Sequence, residues 1–245
     1  MEEASQPKPR LRMARHVMAA EHIGRRIVSG ELRPGTILPN STELARQLSI
    51  ARPALREALK LLAGKGLVES TPRRGTVVRS PDVWNSLDED VLSWQLGDSP
   101  NAAFVRDLFE LRRIIEPEAA ACAAHRATRT TLSDIENALH VMESAETKSS
   151  ASIKADVAFH LSILVASGNG FLMSFAPAIR TSLTMVFSFQ RTVCPDRDHF
   201  VHGHRAIVDA IRRGDPDGAR SAARALLIKS ESDALTGLRA KEVAQ

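Results

Sequence analysis

The sequence predicts a mainly α chain in two parts: an N-terminal helix-turn-helix with a small β-hairpin wing, followed by an all-α antiparallel helical bundle. Three observations carry this. Two short amphipathic segments meet at Ser49–Ile50–Ala51 inside Leu44–Gly66, a join too tight for anything but a helix-turn-helix. Two short strand patterns, Leu67–Ser70 and Thr76–Arg79, flank the turn Thr71–Pro72–Arg73–Arg74–Gly75 directly behind it. From Pro100 onward there is no convincing strand run, only long alanine- and leucine-rich segments divided by turn signals.

Taken in order, residues 1–13 read as a flexible basic arm, with Pro7 and Pro9 among Lys8, Arg10 and Arg12. A helix is expected from about Ala14 to Ser29, closed by Gly30 with Pro34 soon after. Asn40 and Glu43 are placed as N-cap and N3 of the next helix, a capping-box variant. On the first helix of the motif Leu44 and Leu48 stand four apart. On the second, Leu55, Ala58 and Leu62 recur at helical spacing. Arg52 and Arg56, one turn apart, leave the opposite face. That is how a recognition helix offers bidentate donors to guanine in a major groove, although two arginines alone could equally be a solvated surface pair. The wing weighs for DNA, because Arg73 and Arg74 at its tip suit phosphate or minor-groove contact. The helix-turn-helix unit is thus expected over 14–79.

Residues 80–98 form a joint containing both tryptophans, Trp84 and Trp94. A short helix over Asp88–Leu96 is expected there, its aromatics docking the DNA-binding unit on the second domain. Residues 99–240 then hold six helical segments, Ala102–Ala127, Thr131–Glu146, Ser152–Ser167, Phe171–Thr192, Arg197–Arg213 and Pro216–Leu238, with breaks at Gly168–Asn169–Gly170 and Gly214–Asp215–Pro216.

Charge divides along the same line. Residues 1–80 hold 15 Lys and Arg against 7 Asp and Glu, whereas residues 81–245 hold 18 against 22. A polyanion partner follows for the first part and is not required for the second. Cys122 and Cys194 lack metal-type spacing and read as reduced thiols of a cytoplasmic protein. No apolar signal core and no membrane-span-length run occurs, so no membrane partner is expected.

In the third bundle segment Asp156 and His160 stand four apart in ADVAFHLSIL, on one helix face amid Ala155, Val157, Leu161 and Leu164. Such a pair can bind a divalent metal, pair internally, or hold an acidic ligand through a protonated imidazole. His204, leading another amphipathic segment, could close the same site.

Residues from about Ala14 to Val78, including GELRPGTILPNSTELA (Gly30 to Ala45), resemble the winged helix-turn-helix of GntR-type bacterial transcription regulators. The resemblance carries that family's DNA-reading arginines onto Arg52 and Arg56 and its wing glycine onto Gly75, with Pro53, Arg73 and Arg74 in the flanking contact positions. Two positions depart: Thr42 stands where the family often has arginine, and Ala51 where it usually has a Ser or Thr cap. The operator sequence therefore does not transfer.

Residues from about Leu87 to Leu238 resemble the FCD ligand-binding domain of the FadR subfamily, through LDEDVLSW, ELRRIIEPEAA, ADVAFH, GN and HRAIVDAIRRGDPDGA. That resemblance implies an Asp and three His holding a divalent metal, zinc or nickel, which grips a carboxylate effector. The Asp and two His fall on Asp156, His160 and His204; the third His falls on Leu226. It further implies that Arg112 pairs with an effector carboxylate and places Asn169 at a loop position that touches ligand. The joint W-N-x-L-D-x-D-V-L-x-W from Trp84 to Trp94 is similar to that of a branch acting on sugar-acid (aldonate, such as galactonate) operons, in which the last histidine is also missing. Two readings of Leu226 stay open: three protein ligands plus a chelating hydroxy-carboxylate, or a metal-free site built from Arg112, His160 and His204.

The expectation is a homodimeric, cytoplasmic, DNA-binding repressor released from a palindromic operator by a sugar acid. The contending class is a metal-dependent enzyme with a nucleic-acid-binding appendage. Against it, no second carboxylate or nucleophile accompanies Asp156 in the sequence pattern. An architectural DNA binder leaves the acidic bundle unexplained.

Overall fold

The computed structural model describes residues 10–97, 100–146, 149–189 and 197–243. The chain divides into two compact units after Gly97. Residues 1–9 of the expected arm, and Cys194, lie outside the described residues.

The first unit begins with α1 (Arg10–Val28), four residues ahead of the expected start. Ala19, Ala20, Ile23 and Ile27 form its buried stripe at three- and four-residue spacing. The helix stops where Gly30 adopts φ 81° and its N–H bonds back to the Ile27 carbonyl at 3.0 Å. α2 (Ser41–Gln47) is capped by Asn40, whose Oδ1 accepts from the N–H groups of Thr42 and Glu43 at 3.1 and 3.0 Å. The other half of the capping box is not made, because Glu43 turns forward to Arg46 and Gln47. Ser49, at φ 52°, makes the sharp turn into α3 (Arg52–Gly64), which buries Leu55, Ala58 and Leu62. β1 (Val68–Thr71) and β2 (Gly75–Val78) pair antiparallel, Val68 opposite Val78 and Thr71 opposite Gly75.

The joint belongs to this same unit, and both of its tryptophans pack in that unit's core. α4 (Glu89–Leu96), capped by Asp88, packs on α1. Trp94 is 8% exposed and lies over Gly24, where an added Cβ would sit 2.3 Å from the indole ring. Trp84 donates its indole N–H to the Arg79 carbonyl at 3.1 Å. Lys65, at the end of α3, binds Asp88 at 2.7 Å and Asp90 at 2.8 Å. The aromatic content of the joint did signal burial, but its acceptor is the glycine notch of α1.

The second unit is an all-α bundle: α5 (Ala102–Arg126), α6 (Arg129–Ser144), α7 (Ser150–Ala166), α8 (Ala176–Phe189), α9 (Arg197–Arg212) and α10 (Pro216–Val243). Small residues on α5 (Ala119, Ala120 and Ala123, all fully buried) let α7, α9 and α10 approach closely. Phe159, Ile163 and Leu164 of α7 and Ile207 and Ile211 of α9 fill the space between them. The fourth expected segment opens as a 3-10 turn over Gly170–Phe175 before α8 begins, since Pro177 suits only the first turn of a helix. Its last expected residues, 190–192, lie outside the described residues. Among the described residues no helix is long and apolar enough to cross a membrane.

Candidate functional site

The expected DNA-contacting residues are all at the surface of the first unit. Arg52, Arg56 and Pro53 on α3, Thr42 on α2, and Arg73, Arg74 and Gly75 on the wing are exposed. Neighbouring cations are tied down, Arg46 to Glu43 and Lys60 to Glu57 at 2.8 and 2.9 Å. Among the described residues Arg52, Arg56, Arg73 and Arg74 have no carboxylate within ion-pair distance. Guanidinium groups exposed on α3 and on the hairpin tip keep their donors for an external acceptor. The wing tip is a tight turn in which Arg73 takes φ 64° and Gly75 φ 93°. Ala51 caps α3 with no side-chain hydrogen bond, so the first-turn N–H groups remain for an anion.

In the second unit α7 and α9 bring Asp156, His160 and His204 together, their ligand-type atoms all within 4.8 Å of one another. The three are 2%, 5% and 1% exposed. His204 donates Nδ1–H to the Phe200 carbonyl one turn back at 2.8 Å, which turns its Nε2 to Asp156 Oδ1 at 3.0 Å. His160 places its Nδ1 2.5 Å from Glu116 Oε2 and its Nε2 3.5 Å from the same Asp156 oxygen. Both imidazoles thus commit Nδ1 to an outer acceptor and converge on one carboxylate oxygen through Nε2. Both Nε2 atoms face one carboxylate oxygen, an arrangement that a single metal ion would also hold.

Glu116 is the site residue that sequence reasoning missed. It lies on α5, 5% exposed, and also accepts from Arg112 Nε at 2.5 Å. The readable signal was the four-residue spacing of Arg112 and Glu116 within ELRRIIEPEAA. Arg112, the residue expected to pair with an effector carboxylate, lies one turn from Glu116 on α5. It is 1% exposed, pairs with a carboxylate of its own helix, and is absent from the cavity wall. Its Nη1 is buried without an acceptor. Asn169, the other expected effector contact, spends its Oδ1 on the Phe171 N–H and does not line the cavity. Its place after a helix end explains this: a cap is needed there.

The cavity beside the cluster is lined by Glu116, His160 and Leu226, with Ala120, Ile163, Leu164, Ile207 and Ala223 completing the wall. Leu226 therefore faces the site. The open volume is about 10 Å³, room for one water-sized group.

Burial opposes charge on all these groups, but the charges answer one another. Burial alone would raise the Glu116 pKa; Arg112 and His160 reverse this and hold it at about 2. For Asp156 burial is likewise overcome, by its hydrogen bonds and attraction to His160 and His204, leaving the carboxyl well below the usual range. Burial pushes the other way on His160, yet Glu116 and Asp156 raise it to about 9. The consequence for metal-free protein has a defined sign. The Glu116 contribution is complete above about pH 4.5 and fades as pH falls toward 2; the His160 contribution is complete below about 6.5 and is lost as pH rises through 9. Urea unfolding in chelator is expected to show stability highest between these limits, falling on either side. A stability flat from pH 6 to 10 would contradict the His160 assignment.

Comparison with known proteins agrees with both halves. Residues 16–78 match the family of bacterial regulatory proteins, gntR family, and residues 107–229 match the FCD domain. The chain is 34% identical over 211 residues to the galactonate operon transcriptional repressor of Escherichia coli (strain K12), covering 85% of this chain and 91% of that protein. It is also 34% identical over 210 residues to the uncharacterized HTH-type transcriptional regulator YieP of the same organism, covering 85% and 90%. Among solved structures, Streptococcus agalactiae GntR aligns over 89% of this chain and 99% of its own, with TM-score 0.51 and 28% identity. These relatives are transcription regulators, which sets aside the reading as a metal-dependent enzyme. The exposed arginines of α3 and the wing, and the buried cluster of the bundle, thus fall in the two matched halves: the chain belongs to the GntR family of bacterial transcription regulators, with a winged helix-turn-helix joined to an FCD domain.

Proposed function

We propose that this regulator is a cytoplasmic homodimer that represses a sugar-acid catabolic operon and leaves its palindromic operator when an aldonate-type carboxylate binds the bundle. The observation that carries the effector reading is the convergence of His160 Nε2 and His204 Nε2 on Asp156 Oδ1, beside the apolar wall of Leu226. One aspartate and two histidines, each imidazole oriented from behind through Nδ1, fit zinc or nickel. Asp156, His160 and His204 would hold the ion, which when bound supplies Lewis-acid positions for a carboxylate and an adjacent hydroxyl. Leu226 contributes no ligand, so the protein set stops at three and a chelating acid completes it. Likeness to the galactonate operon repressor supports an aldonate over other carboxylates.

The cavity size supports the release step. Room for one water-sized group does not admit a six-carbon acid, so the lining helices α5, α7, α9 and α10 must part around it. The acid then binds an expanded packing and not the closed one, and that difference is what shifts a two-state equilibrium. On the DNA side, two recognition helices set one helical turn apart by a symmetric dimer would read the two half-sites.

A thermal-shift screen of sugar acids, after chelation and with zinc restored, tests the effector class. An acid at about a hundredfold excess over its Kd is expected to raise Tm by roughly 5–10 °C, and by less without metal. No shift with any sugar acid would contradict the proposal. Sedimentation of the same samples at micromolar concentration is expected to show a dimer.

A further inference from the structure

We propose that Glu116 is the positioning residue of the metal site: pinned by Arg112, it fixes the tautomer of His160 so that Nε2, and not Nδ1, is offered to the ion. This rests on the metal reading above.

Glu116 Oε1 accepts from Arg112 Nε at 2.5 Å, and Oε2 lies 2.5 Å from His160 Nδ1. Arg112 is a permanent donor, so Oε1 is committed. A carboxylate has no proton to give, so Oε2 accepts, and the proton must sit on Nδ1. With Nδ1 keeping its proton, the proton that a metal ion displaces is the one on Nε2, the atom 3.5 Å from Asp156 Oδ1 and turned to the cluster. His204 reaches the same state by a different device, with the Phe200 carbonyl as the acceptor of its Nδ1–H. A backbone carbonyl one turn back is available to His204 on its own helix, α9. For His160 the acceptor comes from α5, 44 residues away in sequence. The two carboxylates in contact with His160 therefore differ in role. Asp156 belongs to the ligand set. Glu116 meets the far nitrogen and stays outside it. Phe159, edge-on to both rings with centroids at 5.6 and 4.9 Å, helps hold the imidazoles in these planes.

The substitution Glu116→Gln separates this role from general packing, because it keeps shape while giving one acceptor and one donor where two acceptors are needed. If the amide oxygen serves Arg112, the amide N–H₂ faces His160 Nδ1 and drives the proton to Nε2, the wrong nitrogen for a metal. If the amide is reversed, Arg112 Nε loses its acceptor. Calorimetric titration of zinc into full-length chelated protein is expected to show affinity about ten- to a hundredfold weaker in Glu116→Gln than in wild type. Circular dichroism of both proteins checks that the helices persist. A second measurement needs no variant: ¹⁵N spectra of the imidazoles in zinc-loaded wild type are expected to show His160 protonated at Nδ1 and coordinated through Nε2. Zinc affinity equal within twofold in a folded Glu116→Gln, or coordination of His160 through Nδ1, would overturn the role of Glu116 while leaving the metal reading in place. Wild-type protein that takes up no zinc would overturn both.

Discussion

Asp156→Ala is expected to destabilise the metal-free bundle by about 3–5 kcal/mol, the cost of stripping a buried charge of its partner. Asp156 is 2% exposed and its Oδ1 faces both imidazoles. Without it, His204 Nε2 loses its partner at 3.0 Å, and His160 keeps Glu116 alone against the full burial of its positive form. Neither ring can turn to water, since both are packed against Phe159. Asp156→Asn keeps the volume and a hydrogen-bonding oxygen and is expected to cost less, but it too forfeits an anionic metal ligand. Urea unfolding in chelator reads the first effect, and loss of the zinc-dependent rise in Tm reads the second. A cost below 1 kcal/mol for Asp156→Ala would mean that the cluster is not the buried charged centre described here.

On the DNA side, Arg52→Ala and Arg56→Ala are each expected to weaken operator binding by about 1–3 kcal/mol, roughly five- to 150-fold, and to relax base preference at one position per half-site. Both side chains are exposed, one turn apart on α3, and unpaired among the described residues. Folding stability should barely move, since both side chains are exposed while Leu55, Ala58 and Leu62 form the buried face. Arg74→Ala at the wing tip is the contrast: a phosphate contact weakens binding evenly across sequences and lowers the salt slope by about 0.9. Fluorescence anisotropy on duplexes selected from a random pool, at several salt concentrations, distinguishes them. Wild-type affinity and preference in both α3 variants would remove the recognition-helix assignment.

Much of this architecture could be read from local pattern. The join at Ser49–Ile50–Ala51 and the 3/4 spacing of Leu55, Ala58 and Leu62 define α2 and α3 because helix period and turn length are local properties. Asp156 and His160 were visible for the same reason: four-residue spacing places them on one face. What escaped the sequence depends on partners distant along the chain. Trp94 announced burial through its size, but the notch that receives it is Gly24, seventy residues earlier on α1. Glu116 reads as one more charge on a long helix until α7 brings His160 to it. Arg112 pairs through Nε with Glu116 one turn on, a contact the four-residue spacing allowed but did not single out. The start of α1 at Arg10 escaped because polar residues between prolines and an apolar stripe carry little helical period.

The effector site proposed here is a three-ligand metal site left open by Leu226. Calorimetric titration of zinc into chelated wild type and into Leu226→His, with and without galactonate, tests it most directly. In wild type, zinc is expected to bind weakly alone and more tightly with the acid, and by linkage zinc must tighten the acid by the same factor. Leu226 lines the cavity beside His160, so Leu226→His supplies a fourth protein ligand: zinc should bind more tightly without acid, and the acid's effect should shrink. Identical zinc affinity in the two proteins, or no zinc binding by wild type with or without acid, would contradict the claim.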